Sequence, residues 1–337
     1  MESTTIIDIT DLEIGFNPAA KKGSFYPLIS MSVAKGDFIA LVGRNGVGKS
    51  TFLRSIARLQ SSLSGEVKIL GRSFEEFNAA DFAKTISFIP AEPIHAANMT
   101  VFDFVSLARY PYNGWFGSIG QSDKEIIHSA LESVNLLTFF DRDLDNLSDG
   151  ERQRAMIAFA IAQDSEIILM DEPTAFIDLP SKFEIVHLLK DLTLKGKTVI
   201  FSTHDLHTAI REVDTIWLML KDGFKVGPPE ELALNGSMNK LFERTDIYLD
   251  LKSGGFLSRR EPTQIVGLSA DNDIYLTWTT HALERLGFKV VYELDDSIPF
   301  VSCKNDANSW TWEYHDTSKS SKFDSISGLC NFLKSKH

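Results

Sequence analysis

Between residues 5 and 14, Ile6, Ile7, Ile9, Leu12 and Ile14 sit among polar neighbours, a pattern that predicts a strand. Ile29 to Val33 predicts a second, closed by the turn Lys35-Gly36-Asp37, and the two form a plausible antiparallel layer. Phe38-Ile39-Ala40-Leu41-Val42 is apolar throughout, as a strand buried on both faces must be. Phe52, Leu53, Ile56, Ala57 and Leu59 then recur at helical spacing. Glu66 to Leu70 and Thr85 to Ile89 read as strands ended by Gly71 and Pro90.

From about Met99 to Leu147 the pattern changes to helix, loop and helix. Val101, Phe104, Val105 and Leu107 mark one helix; Ile126, Ile127, Ala130, Leu131 and Val134 mark another; the Gly- and aromatic-rich link Tyr110 to Gly120 lies between them. Strand and helix alternate again with the strand Ile167 to Met170, a helix through Phe183, Ile185, Leu188, Leu189 and Leu192, and the strand Thr198 to Ser202. Such apolar strands separated by amphipathic helices imply a mostly parallel sheet covered on both faces. Trp217 to Leu220 and Phe224 to Val226, around Lys221-Asp222-Gly223, predict a hairpin at its edge.

The pattern restarts near Thr245. Ser253-Gly254-Gly255 and Pro262 punctuate a linker or hairpin, followed by an apolar segment Ile265 to Leu268, a helix near Ile274 to Leu286, strands at Phe288 to Leu294, Phe300 to Cys303 and Trp310 to Tyr314, and a last helix with Ile326, Leu329, Cys330 and Leu333. The expected division is 1–244 as the main domain, with a helical part at about 95–160, then 245–262 as linker and 263–337 as a small accessory α/β domain. Trp310, Trp312 and Tyr314 share one strand face, which serves either as packing surface or as a stacking platform; the acidic balance of the chain favours packing.

Length and charge narrow the reading. At 337 residues the chain exceeds one comfortable core, in keeping with two domains. A net charge of −12 argues against nucleic acid as a partner, since that binding rests on neutralising phosphates. No run approaches the ~18 apolar residues of a membrane span, and Met1 to Thr10 lacks signal-peptide character, so a cytoplasmic location is expected. Cys303 and Cys330 have no metal or disulfide spacing and read as small core residues.

Candidate chemistry begins at Gly43-Arg44-Asn45-Gly46-Val47-Gly48-Lys49-Ser50-Thr51, which fits G-x-x-x-x-G-K-[ST] and joins a predicted strand to a predicted helix. The glycines let successive N–H groups turn toward a phosphate at a helix N-terminus. Lys49 supplies a point charge for the terminal phosphates, and Ser50 a hydroxyl for the accompanying metal ion. Ile167 to Met170 ends in Asp171-Glu172; Asp171 is placed to hold Mg²⁺, and Glu172, one step further, to polarise the attacking water as general base. His204 follows the strand Thr198 to Ser202 and emerges at the same edge, where an imidazole reaches a γ-phosphate oxygen. His204 and His207 lack a third ligand and do not read as a metal pair. Leu147-Ser148-Asp149-Gly150-Glu151-Arg152-Gln153-Arg154 opens a helix, with Ser148 and Glu151 at capping-box spacing.

Taken in order, the phosphate loop, Leu-Ser-Asp-Gly-Glu-Arg-Gln-Arg, Leu-Met-Asp-Glu-Pro, Asp178 and Ser-Thr-His-Asp resemble the nucleotide-binding subunits of ABC transporters over residues 1 to about 244. Met99-Thr100-Val101, Ala108-Arg109-Tyr110-Pro111-Tyr112 and Gly114-Trp115-Phe116-Gly117 are similar to the ATPases of iron-siderophore, haem and cobalamin importers. The resemblance implies a P-loop NTPase core of the ABC type, a mostly parallel sheet with an antiparallel layer and helical insertion, plus the C-terminal α/β domain. It implies ATP and Mg²⁺ as ligands and a head-to-tail dimer. Gly43, Asn45, Gly46, Gly48, Lys49, Ser50 and Thr51 of one copy would face Ser148, Asp149 and Gly150 of the other, with Asp178 at the seam. Phe16 is the aromatic expected on adenine, with Phe25 and Tyr26 as alternatives. The helical insertion would meet integral-membrane permease subunits, placing the chain peripherally at the cytoplasmic face of the inner (plasma) membrane, with a substrate-binding protein upstream. The cargo implied is a ferric siderophore, haem or cobalamin. A soluble ABC-type ATPase of translation or DNA repair is the alternative, but such proteins usually join two cassettes or carry long coiled coils.

One departure stands out. Where the resembled family carries a glutamine after Ile-Pro, this chain has Ile89-Pro90-Ala91-Glu92. Ala91 offers no oxygen, so either water completes a magnesium shell or Glu92 turns in as a ligand. Slow but real ATPase activity is expected. Ala91→Gln should raise the hydrolysis rate of the purified protein and alter its Mg²⁺ dependence; identical rate and Mg²⁺ profiles would remove this position as a limit on turnover.

Overall fold

The computed structural model describes residues 4–15, 23–92, 94–113, 117–175, 177–258, 262–292, 297–306, 309–316 and 319–336. Its backbone divides into two compact units, Met1–Glu243 with Leu249–Gly255, and Arg244–Tyr248 with Phe256–His337.

The first unit opens with β1 (Thr5–Glu13), β2 (Ile29–Ala34), β3 (Phe38–Gly43), α1 (Lys49–Ile56), β4 (Ser64–Ile69), β5 (Arg72–Ser73), α2 (Ala79–Thr85) and β6 (Ile86–Ile89). The predicted antiparallel layer is a four-stranded sheet ordered β2-β1-β4-β5. Its apolar face, with Ile7, Ile9, Leu12 and Val67, packs into one core with Phe52, Leu53 and Ile56 of α1. α2 has no counterpart in the predicted elements, because only Phe82 marks it among alanines and charges; the helix forms under an Asn78 cap and by edge-on packing of Phe82 against Phe74 and Phe77.

The helical part contains α3 (Val101–Ser106), α4 (Tyr110–Asn113), α5 (Gln121–Ser133) and α6 (Asp149–Gln163). The start of the Tyr110 to Gly120 link is therefore helical, and residues 114–116 lie outside the described set. A polar cluster anchors its first residues, with Arg109 buried and Tyr112 exposed. Arg109 Nε donates to Asp123 Oδ1 at 2.8 Å and Nη1 to the Ala162 carbonyl at 2.9 Å, while its guanidinium lies 3.8 Å from the Tyr112 ring centroid. Tyr112 Oη donates to the Gln163 carbonyl at 3.0 Å, and Asn113 Nδ2 to Asp123 Oδ2 at 2.8 Å.

The chain continues through β7 (Ile167–Met170), α7 (Leu179–Leu194), β8 (Thr198–Thr203), α8 (Leu206–Glu212), β9 (Thr215–Leu220), β10 (Gly223–Gly227) and α9 (Pro229–Leu234). The second sheet is six-stranded, ordered β10-β9-β3-β8-β7-β6, and parallel except for the β9–β10 hairpin at its edge. Every residue of β3, β7 and β8 is buried, as the unbroken apolar runs required. Ile39 and Leu41 face the shared core, whereas Phe38 meets Phe201 across the opposite face at 5.4 Å between ring centroids.

Residues 245–262 hold a short hairpin, β11 (Ile247–Leu249) with β12 (Phe256–Ser258). The second unit then has β13 (Gln264–Ala270), α10 (Asp273–Arg285), β14 (Phe288–Val291), β15 (Phe300–Asp306), β16 (Ser309–His315), β17 (Ser320–Phe323) and α11 (Ile326–Ser335). Its sheet runs β14-β13-β15-β16-β17. The polar strand β17 was not predicted; its pairing comes from backbone bonds to β16 rather than from an apolar pattern. The aromatic face of β16 is core. Trp310 stacks on Tyr275 of α10 at 3.6 Å, Trp312 Nε1 donates to Thr279 Oγ1 at 2.9 Å, and Tyr314 packs edge-on against Phe332 of α11. Cys303 and Cys330 are buried free thiols, and burial pushes the Cys303 thiol up to about 11.

The Arg109–Asp123 pair yields a stability prediction. Its hydrogen bonds from Arg109 and Asn113 hold the Asp123 carboxyl below the usual carboxylate range. A lowered folded-state value means the contribution is present above that range and is lost as pH falls through it. Arg109→Ala, which removes the charged partner of a carboxylate still held by Asn113, should cost about 2 kcal/mol in chemical denaturation at neutral pH. The deficit should shrink on acidification; a deficit independent of pH contradicts the ionic reading.

Candidate nucleotide-binding and catalytic site

The site grows from the C-terminal edge of the six-stranded sheet. β3 is held between β8 and β9, with Val42 opposite Thr203 and Gly43 opposite Met219. A Cβ on Gly43 would stand 2.7 Å from the Met219 carbonyl oxygen, so only glycine lets the chain leave the sheet here. The loop then turns through Gly46 and Gly48 at φ of 75° and 117°, conformations that glycine adopts without strain. Gly48 is the N-cap of α1, with no side-chain cap and no acidic residue in the first turn. The positive end of that helix is thus open to an anion. Asn45 and Gly46 are exposed, Ser50 and Thr51 half-buried, all at this mouth.

Lys49 turns inward at 6% exposure. Its Nζ donates to the carbonyls of Gly43 at 3.0 Å and Arg44 at 3.5 Å, and lies 3.3 Å from His204 Nε2. Burial pushes its ammonium downward, against the upward pull of the Glu172 and Asp171 carboxylates. An arriving phosphate would supply the close negative charge that two neutral carbonyls do not.

Asp171 and Glu172 leave β7 beside the Lys49 turn. Asp171 is 2% exposed and its N–H donates to the Ile89 carbonyl at 2.8 Å, which ties the end of β7 to the end of β6. Ser202 Oγ donates to Asp171 Oδ1 at 2.6 Å. Among the described residues no hydrogen bond or ion pair claims Oδ2. Glu172 is half-buried, and its Oε1 lies 2.6 Å from His204 Nε2. With its proton on Nε2, His204 donates to Glu172, and the shorter contact takes precedence over the one to Lys49. Lys49, His204 and Glu172 therefore form one contiguous line, with Asp171 beside it.

Ser148 caps α6 in the arrangement its spacing predicts. The Glu151 N–H donates to Ser148 Oγ at 3.3 Å, while the Ser148 N–H and hydroxyl both donate to Glu151 Oε2 at 2.8 Å. These bonds hold the Glu151 carboxyl below its ordinary range. Arg152 is buried behind the turn and donates to the Leu147 carbonyl at 2.9 Å. Gly150 faces the segment before α7, where its Cβ position lies 3.6 Å from Ile177. Asp178, next in that segment, caps α7 by accepting from the Ser181 N–H at 2.9 Å. Among the described residues, no hydrogen bond or ion pair joins Ser148, Asp149, Gly150 or Asp178 to Lys49, Asp171, Glu172 or His204.

Phe16 lies outside the described residues. Of its alternatives, Tyr26 is removed by burial, since its ring is committed edge-on to Phe224 in the core. Phe25 is 37% exposed and lies against the phosphate loop, 2.6 Å from a Cβ built on Gly48. Ala91 and Glu92 follow β6 at the same sheet edge, with Glu92 exposed. Sequence reasoning missed Ser202 and the Phe25–Gly48 contact. A hydroxyl near the C-terminal end of an otherwise apolar buried strand was the signal for the first; nothing local marked the second. For Mg²⁺, the Ser50 hydroxyl and the Asp171 carboxylate are hard oxygen donors. An ion that keeps most of its shell as water and nucleotide phosphates fits such a two-donor offer.

Known proteins resemble this chain over both of its units. The ABC transporter family profile matches residues 27–175, and that of the iron ABC transporter C-terminal domain matches residues 263–334. The petrobactin import ATP-binding protein FpuC of Bacillus anthracis is 33% identical over 235 residues, covering 69% of this chain and 86% of that protein. The achromobactin transport ATP-binding protein CbrD of Dickeya dadantii is 37% identical over 206 residues, 60% of this chain and 77% of that one. The iron(3+)-hydroxamate import ATP-binding protein FhuC of Bacillus subtilis is 37% identical, covering 54% and 68%. Among solved structures, a metal-chelate type ABC transporter in an inward-facing conformation matches with a TM-score of 0.62 at 26% identity, over 76% of this chain and 98% of that one. Fold, motif order and these likenesses together place the chain in the ABC transporter family, as an ATP-hydrolysing ATP-binding subunit.

Proposed function

We propose that the chain couples ATP hydrolysis to import of a ferric siderophore, working as a dimer beneath membrane permeases. The observation that carries the catalytic half is the line Lys49–His204–Glu172, assembled at the open N-terminus of α1. The relatives' cargoes, petrobactin, achromobactin and iron(3+)-hydroxamate, favour a siderophore over haem or cobalamin.

In this reading the loop amides from Asn45 to Thr51 and the Lys49 ammonium bind the β- and γ-phosphates. Mg²⁺, held by Ser50 and Asp171, would supply charge neutralisation on the phosphate oxygens when bound. Glu172 orients the attacking water and accepts its proton, and the bond from His204 Nε2 fixes the carboxylate. His204 also stands within reach of Lys49, so it senses whether the terminal phosphate is in place. Among the described residues the capped start of α6 makes no bond to the Lys49 group, which supports its use against a nucleotide held by a second copy.

A cleft of about 500 Å³ between α1, α2 and β6 is lined by Ala57, Arg58, Leu59, Phe82, Ala83 and Phe88. Leu59 there is 62% exposed. Such an apolar groove suits a short helix of a permease. This seam is one candidate for partner docking, beside the link that begins at Tyr110, where Tyr110 and Tyr112 are each 39% exposed. Among the described residues no helix is long and apolar enough to cross a membrane, in keeping with peripheral attachment through partners. A substrate-binding protein would deliver the cargo to the permease.

Glu172→Gln should lower hydrolysis by at least ~100-fold while leaving ATP binding intact. With ATP and Mg²⁺ it should elute as a dimer in size exclusion with light scattering, and as a monomer without nucleotide. Full hydrolysis in this variant would remove Glu172 from the role of base.

A further inference from the structure

Ser202 occupies the fifth position of β8, a strand otherwise apolar in its interior, and its side chain is wholly buried. A serine hydroxyl has one hydrogen and two lone pairs, and here both kinds of capacity are used. The hydrogen goes to Asp171 Oδ1 at 2.6 Å, a length typical of a hydroxyl donating to a carboxylate. A lone pair accepts the Glu172 N–H at 2.9 Å. The two residues so linked are the proposed metal-holding acid and the proposed base.

The second bond matters because of the backbone it restrains. Glu172 has φ of 50°, in the left-handed region that a non-glycine side chain rarely adopts. Its N–H is held by Ser202, and its C=O accepts from the Ala175 N–H at 3.1 Å. With both peptide groups pinned, the direction of the Glu172 side chain is set, and its carboxylate meets His204 at 2.6 Å. Without the hydroxyl, the Glu172 N–H has no partner and the strained φ loses one of its two restraints. Asp171 loses the bond that fixes its Oδ1, and with it the aim of Oδ2.

We infer that Ser202 is a positioning residue for hydrolysis, one hydroxyl that simultaneously aims the Asp171 carboxylate and holds the left-handed backbone of Glu172. It acts through these two neighbours. This inference rests on the assignment of Asp171 and Glu172 given above.

Two measurements test it. In the hydrolysing protein, Ser202→Ala should lower kcat by about 10–100-fold with KM for ATP little changed, and Ser202→Thr, which keeps the hydroxyl, should recover most of the loss. In the non-hydrolysing Glu172→Gln background, Ser202→Ala should raise the Mg²⁺ concentration needed for half-maximal binding of a fluorescent ATP analogue by about 10-fold, again reversed by Ser202→Thr. Unchanged kcat and unchanged Mg²⁺ dependence in Ser202→Ala would overturn the inference. So would a loss that Ser202→Thr fails to recover while thermal unfolding shows both variants equally destabilised, since that is a packing effect. If Glu172→Gln alone retains full hydrolysis, the base assignment fails by itself; the Mg²⁺ titration needs no turnover and still decides the hold of Ser202 on Asp171.

Discussion

A lysine ammonium held out of water with two carbonyls for company is the interaction on which the rest of the site depends. Lys49 sits where a fully buried strand becomes a helix whose first amides have no cap. That junction cannot shift: Gly43 has no room for a Cβ against Met219, and parallel bonds on both sides fix β3 in the sheet. The neighbouring strands, β8 and β7, then end beside it and deliver Ser202, His204, Asp171 and Glu172 to one edge. This follows the general tendency of parallel sheets to bind ligands beyond the carboxyl ends of their strands. The site is cheap to build in this fold because the sheet itself does the gathering.

Much of that was legible in the chain. The phosphate loop announces itself by spacing, and its flanking strand and helix are strongly patterned. Asp171, Glu172 and His204 were legible because each follows an apolar run that has to be a buried strand, and side chains just beyond such strands share an edge. The cap of α6 was readable from Ser148 and Glu151 alone, because capping is a local interaction over three residues.

What stayed hidden depends on contacts between distant segments. Ser202 becomes significant only once β8 lies beside β7, and Phe25 only once it rests on Gly48. The anchoring of the Tyr110 to Gly120 link at its Tyr110 end, through the Arg109–Asp123 ion pair and the Tyr112 bond to the end of α6, likewise joins segments far apart in the chain. α2 and β17 were invisible for a related reason: one is held by aromatic neighbours outside its own length, the other by backbone pairing to a strand whose apolar face does the packing. In the second unit the aromatic stripe of β16 reads in sequence as packing surface more than as stacking platform, and the structure packs it on α10 and α11.

The central claim is that each catalytic centre is shared, with the Lys49 group from one copy and the Ser148 turn from another. Mixing two inactive variants decides it most directly. Lys49→Ala and Ser148→Arg should each abolish ATP hydrolysis alone. Mixed in equal amounts under conditions that allow exchange, they should regain about a quarter of the unaltered activity, because half the dimers are mixed and each carries one intact centre. A mixture that stays as inactive as its components, despite demonstrated exchange of subunits, would contradict the shared site.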